Sequence, residues 1–356
     1  MFPEKIDIAV NTIKMFINHQ KPNGQLPCFI LGGKLPGVEA AEKIGYSQIQ
    51  ECLSFYRLAL MVCRMTNDRE LLQLCYDSGK KWDSWLRKWR MTENLGLIET
   101  FMGFDIGHDN SGRYFGMKCM TNRGIKNGSA VGAEVPPDLD DEAPIFAADM
   151  NSNFYATQIA LSEMAHMLGI DDEAKHFSSC AKKIKQLIFE YLYNKDDVFF
   201  YDADKNKKQR KIMSSAIFHL FLEGVLDPKE DKALIDEIYT KHIKNPDEFW
   251  TAVPFPSMSV SDKTFAKHTE YNCWGYFSET LIVLRATLWM DKYGMSRDFD
   301  EICKIWLERY TKCFDIIKLG QEFDPLSGEP SKASEWYSSA MLFYIYSARR
   351  LGIIKA

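Results

Sequence analysis

Apolar side chains recur along this chain at spacings of three and four residues over long stretches, the period of a helix with one buried face. Between 171 and 193 the stripe is Ala174, Phe177, Ala181, Ile184, Ile188 and Tyr191. Comparable stripes predict helices at about 5–19, 47–65, 69–90, 149–168, 210–224, 229–242, 272–293, 298–314 and 333–351. Alternation of period two is scarce, so the expected class is all-α. Asn67-Asp68, Gly169-Ile170-Asp171-Asp172 and Tyr293-Gly294-Met295-Ser296 each carry a stop signal followed at once by a start signal. The helices should therefore come as hairpins.

Helical hairpins stack as an open solenoid or close into a ring. No short fixed repeat of a solenoid is present. Polar inserts of unequal length, 20–45, 103–148, 243–271 and 315–332, instead separate tightly joined pairs. This arrangement predicts an (α/α)6 toroid, a six-hairpin barrel with its long loops gathered at one end. At about 150 residues per domain the 356 residues suggest two domains, but toroids of this size fold as one, so a single domain over 1–356 is expected. The longest insert, from Gly103 to Ala148, is rich in Gly, Asn, Asp and Pro, and loops of that length are usually functional.

Composition narrows the function by exclusion. With 46% apolar and 26% charged residues the chain is neither disordered nor fibrous. Its net charge of -5, with one basic run at Lys205 to Lys211, gives no field for a phosphate backbone, so nucleic acid is not an expected partner. Glu4 and Asp7 stand where a signal peptide would be basic, and no apolar run of membrane length follows, so no export signal or membrane association is expected, and a cytoplasmic location is. Nine cysteines without a CxxC pair read as reduced core thiols. Seven histidines lack zinc spacing, and Asp138, Asp140, Asp141 and Glu142 lack calcium-loop spacing. Neither a metal nor an organic cofactor is expected. Aromatics at 13% exceed what a core needs and point weakly to a carbohydrate pocket.

Two loops carry candidate chemistry. Gly107 to Tyr114 packs Asp109, Asn110, Ser111 and Arg113 between glycines. On composition, Asp109 either closes its own turn or, desolvated by Phe101, Phe104 and Tyr114, serves as an acid. The second loop, Gly320 to Pro330, holds three carboxylates. Asp324-Pro325 and Ser327-Gly328 are turn signals, which makes Asp324 and Glu329 turn formers and leaves Glu322 without a local role. Two carboxyls at one polar, aromatic-lined mouth suffice for glycoside hydrolysis. Trp250, Trp274, Trp336 and Tyr337 are candidates to stack on a sugar ring, and Asp149 either caps its helix or binds sugar hydroxyls.

The order of several motifs resembles the trehalase-like (α/α)6 glycosidases, closest to the group of mannosylglycerate hydrolase and processing α-glucosidase I (glycoside hydrolase family 63). Asn23-Gly24-Gln25-Leu26-Pro27 resembles the family's Gly-x-Leu-Pro turn, and Asp109-Asn110-Ser111-Gly112-Arg113 its Asp-Asn-Ser-Pro-Arg motif with Gly for Pro. Asp149-Met150-Asn151 is similar to Asp-Leu-Asn, and Pro254-Phe255-Pro256-Ser257 to Pro-x-Pro-Ser. Glu322 to Glu329 resembles Glu-x-x-Asp-Pro-x-Thr-Gly-Glu. The resemblance implies an inverting, exo-acting glycoside hydrolase on a small α-glucoside or α-mannoside, with Asp109 as general acid, Glu322 as general base and water as nucleophile. It also implies substrate contacts from Asn110, Arg113, Asp149, Asn151, Trp274, Gly275, Trp336 and Tyr337. Arg113 should then face substrate hydroxyls or another carboxylate, leaving Asp109 its proton.

Two departures accompany the resemblance. Where the family reads Tyr-Trp-Arg-Gly-Pro this chain has Asn272-Cys273-Trp274-Gly275-Tyr276, without the arginine. The family also has a helix ahead of the segment matching 5–19, so either a preceding segment is absent from this sequence or the ring lacks its first helix. These departures keep a non-catalytic sugar-binding toroid in play. A sugar epimerase of similar architecture needs paired histidines, which the scattered His residues do not supply.

Overall fold

The computed structural model describes residues 5–31, 43–46, 49, 53–101, 103–108, 110–114, 143–265, 274–331 and 335–355. The chain divides into two compact units. The first comprises Met1–Gly107, Met117–Tyr193 and Asp202–Gln209, and the second His108–Gly116, Asn194–Tyr201 and Arg210–Ala356.

The first unit contains α1 (Ile6–Asn18), the short antiparallel strands β1 (Phe29–Leu31) and β2 (Lys43–Gly45), α2 (Phe55–Thr66), α3 (Arg69–Trp89), α4 (Ala148–Leu168) and α5 (Asp171–Tyr191). Local chemistry sets the hairpin corners. Asn67 closes α2 in the left-handed conformation (φ 51°), and the Asp68 carboxylate then accepts the N–H groups of Glu70 (2.9 Å) and Leu71 (3.0 Å) to open α3. Gly169 (φ 82°) closes α4 in the same left-handed way ahead of α5. The stripe anticipated for α5 is buried at Phe177, Ala181, Ile184 and Ile188. The helix packed most closely against it, α4, is buried on nearly every side, since 14 of its 21 residues are inaccessible, and α2 and α3 also pack on it. Trp82 and Trp85 stack at 5.0 Å inside this unit.

Segment 193–210 carries the two-residue strands β3 (Tyr193–Asn194), β4 (Phe199–Phe200), β5 (Asp202–Ala203) and β6 (Gln209–Arg210). The second unit contains α6 (Ile217–Leu222), α7 (Lys232–Ile238) running into one π turn, β7 (Ser278–Glu279), α8 (Thr280–Ala286), α9 (Ser296–Ile317), β8 (Glu322–Phe323) and α10 (Ser338–Arg350). Its core is aromatic: Phe218 and Phe221 of α6 meet Trp289 at 6.1 and 5.1 Å, and Phe218 lies 4.5 Å from Phe255.

Three expected helices are corrected here. The stretch 272–293 is not one helix: turns at 274–276 lead into β7, and only Thr280–Ala286 is helical. Nonlocal partners claim its backbone. Ser257 donates both its N–H and its hydroxyl to the Phe277 carbonyl at 2.9 Å, the Ser278 hydroxyl donates to the Val253 carbonyl, and β7 pairs with β8. Helix 210–224 shrinks to Ile217–Leu222 because Ser215 N–H bonds Ser257 O (2.9 Å) and Met213 N–H bonds the Asp262 carboxylate (2.7 Å). The last helix starts at Ser338, since Trp336 is held in a bridge to Leu319. Among the described cysteines, Cys28, Cys63, Cys75, Cys303 and Cys313 are buried free thiols. Among the described residues no helix is long and apolar enough to cross a membrane.

Candidate active site

The site is built on a small antiparallel patch in the second unit. Pro256 bridges Ser278, β7 pairs with β8, and Phe323 bridges Pro330. Side chains alternate across such a ladder, so one residue of β8 faces the helical core and the next faces the opposite side. Phe323 takes the core, packing edge-on against Trp306 (5.6 Å) and Tyr310 (5.5 Å) of α9. Glu322 therefore projects to the other face, directly opposite Glu279 in the register Glu279↔Glu322. Thr280 fixes that register by donating its N–H (3.0 Å) and hydroxyl (2.6 Å) to the Gln321 carbonyl. The loop beyond β8 is closed as its turn signals demand. Asp324 accepts the N–H groups of Leu326 (2.9 Å) and Ser327 (2.8 Å), with Gly328 at φ 73°.

Both carboxyls are fully buried. Glu279 is served by two donors, the Trp274 N–H at 3.0 Å and the Gln321 amide at 3.5 Å. Neither oxygen of Glu322 meets a hydrogen-bond donor among the described residues. Burial, and after it the adjoining Glu322 carboxyl, hold the Glu279 carboxyl well above the ordinary range, outweighing its two donors. Burial and the charges of Asp324 and Glu322 raise Tyr276 in the same way. Sequence reasoning missed Glu279 because the 272–293 stretch reads as a helix. Its signal is a lone carboxyl in the apolar run Trp274 to Val283.

Trp274 adopts a left-handed backbone (φ 64°), a strained conformation for a bulky residue, and its N–H bond to Glu279 helps hold it there. Its ring stacks on His108 with centroids 4.3 Å apart and planes 6° from parallel. The 108–114 segment is thereby brought beside the Trp274 turn within this unit. Asp109 itself lies outside the described residues; its neighbours are placed. Asn110 is half-buried, and Arg113 and Tyr114 are buried in a single 3-10 turn. The Arg113 carbonyl accepts a bond from the Arg210 guanidinium at 3.3 Å. Gly112, where the family motif carries Pro, is forced by close approach: a Cβ there would lie 2.6 Å from Thr264 Oγ1.

The other expected contacts are placed differently. Gly275 is buried next to Trp274. Trp336 is 57% exposed and meets Phe314 edge-on at 6.1 Å, while the Tyr337 N–H bonds the Leu319 carbonyl at 3.0 Å. Asp149 and Asn151 belong to the first unit. The cap of α4 is not Asp149 but Asp202, whose carboxylate accepts the Ala148 N–H at 2.9 Å; Asp149 bonds the Met150 N–H. Asn151 is inaccessible, and its amide is spent on backbone: it donates to the carbonyls of Ile98 (3.1 Å) and Ala147 (2.9 Å) and accepts the Ile98 N–H (2.6 Å). Among the described residues no group of three or more His, Cys, Asp or Glu is arranged to hold a metal ion.

Residues 5–338 match the mannosylglycerate hydrolase MGH1-like glycoside hydrolase domain. Among solved structures, the GH63 mannosylglycerate hydrolase of Thermus thermophilus, crystallised with Tris, is similar with a TM-score of 0.73 at 14% identity, over 96% of this chain and 89% of that one. Further crystals of that enzyme hold D-glycerate and glucose. Neutral trehalase Nth1 of Saccharomyces cerevisiae follows at 0.59 and 16% identity, over 86% of this chain and 62% of that one. An uncharacterized protein of Borreliella burgdorferi is 24% identical over 168 residues, 46% of this chain. The match spans 33% of that curated relative's length. The structural likenesses are likenesses of fold, and they place the chain in the all-α (α/α)6 class expected from its hairpins. The match over nearly the whole chain settles the family: the protein belongs to the mannosylglycerate hydrolase MGH1-like glycoside hydrolase domains.

Proposed function

We propose that this protein is an inverting, exo-acting glycoside hydrolase on a small α-glucoside or α-mannoside, with Asp109 as general acid and Glu322 as general base. The observation that carries the reading is Glu322: a fully buried carboxyl whose oxygens meet no donor among the described residues. A buried carboxyl left without donors is costly to the fold, and such groups are retained where a reaction uses them. Here the use is to take a proton from water. The oxygen of that water bonds to the anomeric carbon as the glycosidic bond breaks, and Asp109 delivers its proton to the departing oxygen. The water attacks the face opposite the leaving group, so the anomeric configuration inverts. Room for it requires the two carboxyls to stand about 6.5 to 9.5 Å apart.

Trp274, stacked on His108, is the proposed platform for a sugar ring, with Asn110, Arg113 and Gly275 as further proposed contacts. Trp336 and Tyr337 stand as further proposed sugar contacts. The glucose and glycerate complexes of the Thermus enzyme support, as the substrate class, a hexose joined to a small polar aglycone. A proton NMR time course over α-glucosides and α-mannosides, mannosylglycerate among them, reads substrate and anomeric outcome together. A β-anomer as the first product is expected. Glu322→Gln and Asp109→Asn should each lower kcat by roughly a hundredfold or more. Wild-type turnover in either variant refutes its assignment, and binding without product release favours a silent sugar-binding toroid.

A further inference from the structure

Glu279 is a buried carboxyl to which the proposed reaction assigns no part. It lies on β7 across one rung from Glu322, both side chains are fully buried, and the adjoining Glu322 carboxyl helps to raise that of Glu279. Among the described residues neither forms an ion pair with a lysine, arginine or histidine. Among the described residues, Tyr276 from the turn before β7 stands in the field of Glu322 and Asp324, and Tyr310 of α9 in that of Glu279. None of these supplies a positive charge. Two adjoining buried carboxylates, with no cation paired to either among the described residues, repel strongly, which favours one proton held between them.

We infer that Glu279 is the positioning residue of the general base: it keeps the shared proton, donates it to Glu322, and with its other oxygen accepts the Trp274 N–H. The hydrogen bonds decide the side. With the proton on Glu279, Oε1 accepts from Trp274 at 3.0 Å, and Oε2, on which the Gln321 amide makes only a long 3.5 Å contact, carries the proton and gives Glu322 the donor that no other described residue supplies. With the proton on Glu322, that residue could not take one from water, and its remaining oxygen would stay without a donor. One neutral carboxyl thus orients the base and fixes the strained Trp274 turn at the same time. This step rests on the reading of Glu322 as base, but the protonation of Glu279 can be measured without it.

Glutamine comes close to a protonated Glu279, since its amide donates where the hydroxyl did and its carbonyl still accepts from Trp274, with only the long Gln321 contact (3.5 Å) lost. Infrared spectra of the full chain carrying carbon-13 glutamate, taken at neutral pH, should show a protonated-carboxyl stretch in wild type that is lost in Glu279→Gln. On an α-glycoside that the protein turns over, kcat of Glu279→Ala should fall roughly a hundredfold, and Glu279→Gln should recover most of that loss. Circular dichroism confirms that each variant is folded. A protonated-carboxyl stretch that survives Glu279→Gln, or a glutamine variant no better than alanine, overturns the inference. Wild-type turnover in Glu322→Gln would instead remove the base assignment, and the infrared result would still decide where the proton lies.

Discussion

Asn151 is the sharpest place to separate a sugar contact from a strut. The motif that contains it suggests a substrate role, whereas its amide is fully used on the backbone of Ile98 and Ala147. Asn151→Ala removes all three bonds. The Ala147 carbonyl keeps the Asn151 N–H of the helix itself, at 3.0 Å, so it is not orphaned. Ile98 is fully buried, and its N–H and C=O lose their partner together. At about 1 to 3 kcal/mol for each buried peptide group left unsatisfied, the variant should lose about 3 kcal/mol of stability. The assay is urea unfolding followed by tryptophan fluorescence and circular dichroism, with coincident transitions required before a free energy is read. The midpoint should fall at unchanged slope, while KM on a turned-over α-glycoside moves less than about threefold. A stability loss under about 1 kcal/mol together with a KM raised about tenfold would show that the amide serves sugar, and the strut argument would fail.

Three further outcomes follow from the same structure. Arg90 and Asp105 form a bidentate pair (2.7 and 3.2 Å) with both side chains inaccessible, so Arg90→Met should cost about 3 to 5 kcal/mol in chemical unfolding, and adding Asp105→Asn should recover at least half. Gly112→Ala places a methyl 2.6 Å from Thr264 Oγ1 and should cost about 1 to 3 kcal/mol; Thr264→Ala in the same chain should relieve part of it, and equal thermal stability of single and double variants would refute the clash. Glu279 has its carboxyl held above its ordinary value of 4.5 by burial and by Glu322, so the folded state binds its proton more tightly than the unfolded state. Its stabilising contribution is complete below pH 4.5 and is lost as pH rises toward the folded value, so Glu279→Gln should gain on wild type in melting temperature from that pH upward, and a difference flat with pH would contradict it.

What the sequence discloses of this fold is what neighbouring residues decide. Asn67 and Asp68 end and open helices through their own side chains, and Gly169 needs only its freedom of φ, so the hairpin corners are readable by inspection. The 272–293 stretch misleads for the opposite reason. Its apolar spacing suits a helix, but Val253, Ser257 and β8, distant in sequence, take its backbone bonds first. Glu279 was hidden with it. Glu322 was legible because turn chemistry accounts for Asp324 and Glu329 and leaves it unexplained. Asn151 shows the limit of motif reading: the motif marks a position, and only the hydrogen bonds at Ile98 and Ala147 say what the side chain does there.

Buried polar groups in this protein fall into two kinds, and the difference separates scaffold from chemistry. Glu99 accepts from Thr92 and from the Glu93 N–H, Asp105 from Arg90 and the Phe101 N–H, and Asp202 from the Ala148 N–H. Each pins a loop or a helix start. Such groups offset the cost of leaving water, and nothing remains of them for a substrate. Glu322 is buried as deeply, yet no donor meets its oxygens among the described residues, and across the rung stands another carboxyl. A fold selected for stability alone would place an apolar side chain at that rung, because replacing a poorly satisfied buried charge by well-packed carbon is neutral or stabilising. The proposed proton-handling role accounts for keeping two acids there. On the proposed reading Glu322, as the base, must accept a proton from water during turnover and cannot already be saturated with donors; the inferred single donor from Glu279 would orient it and leave an oxygen for that water.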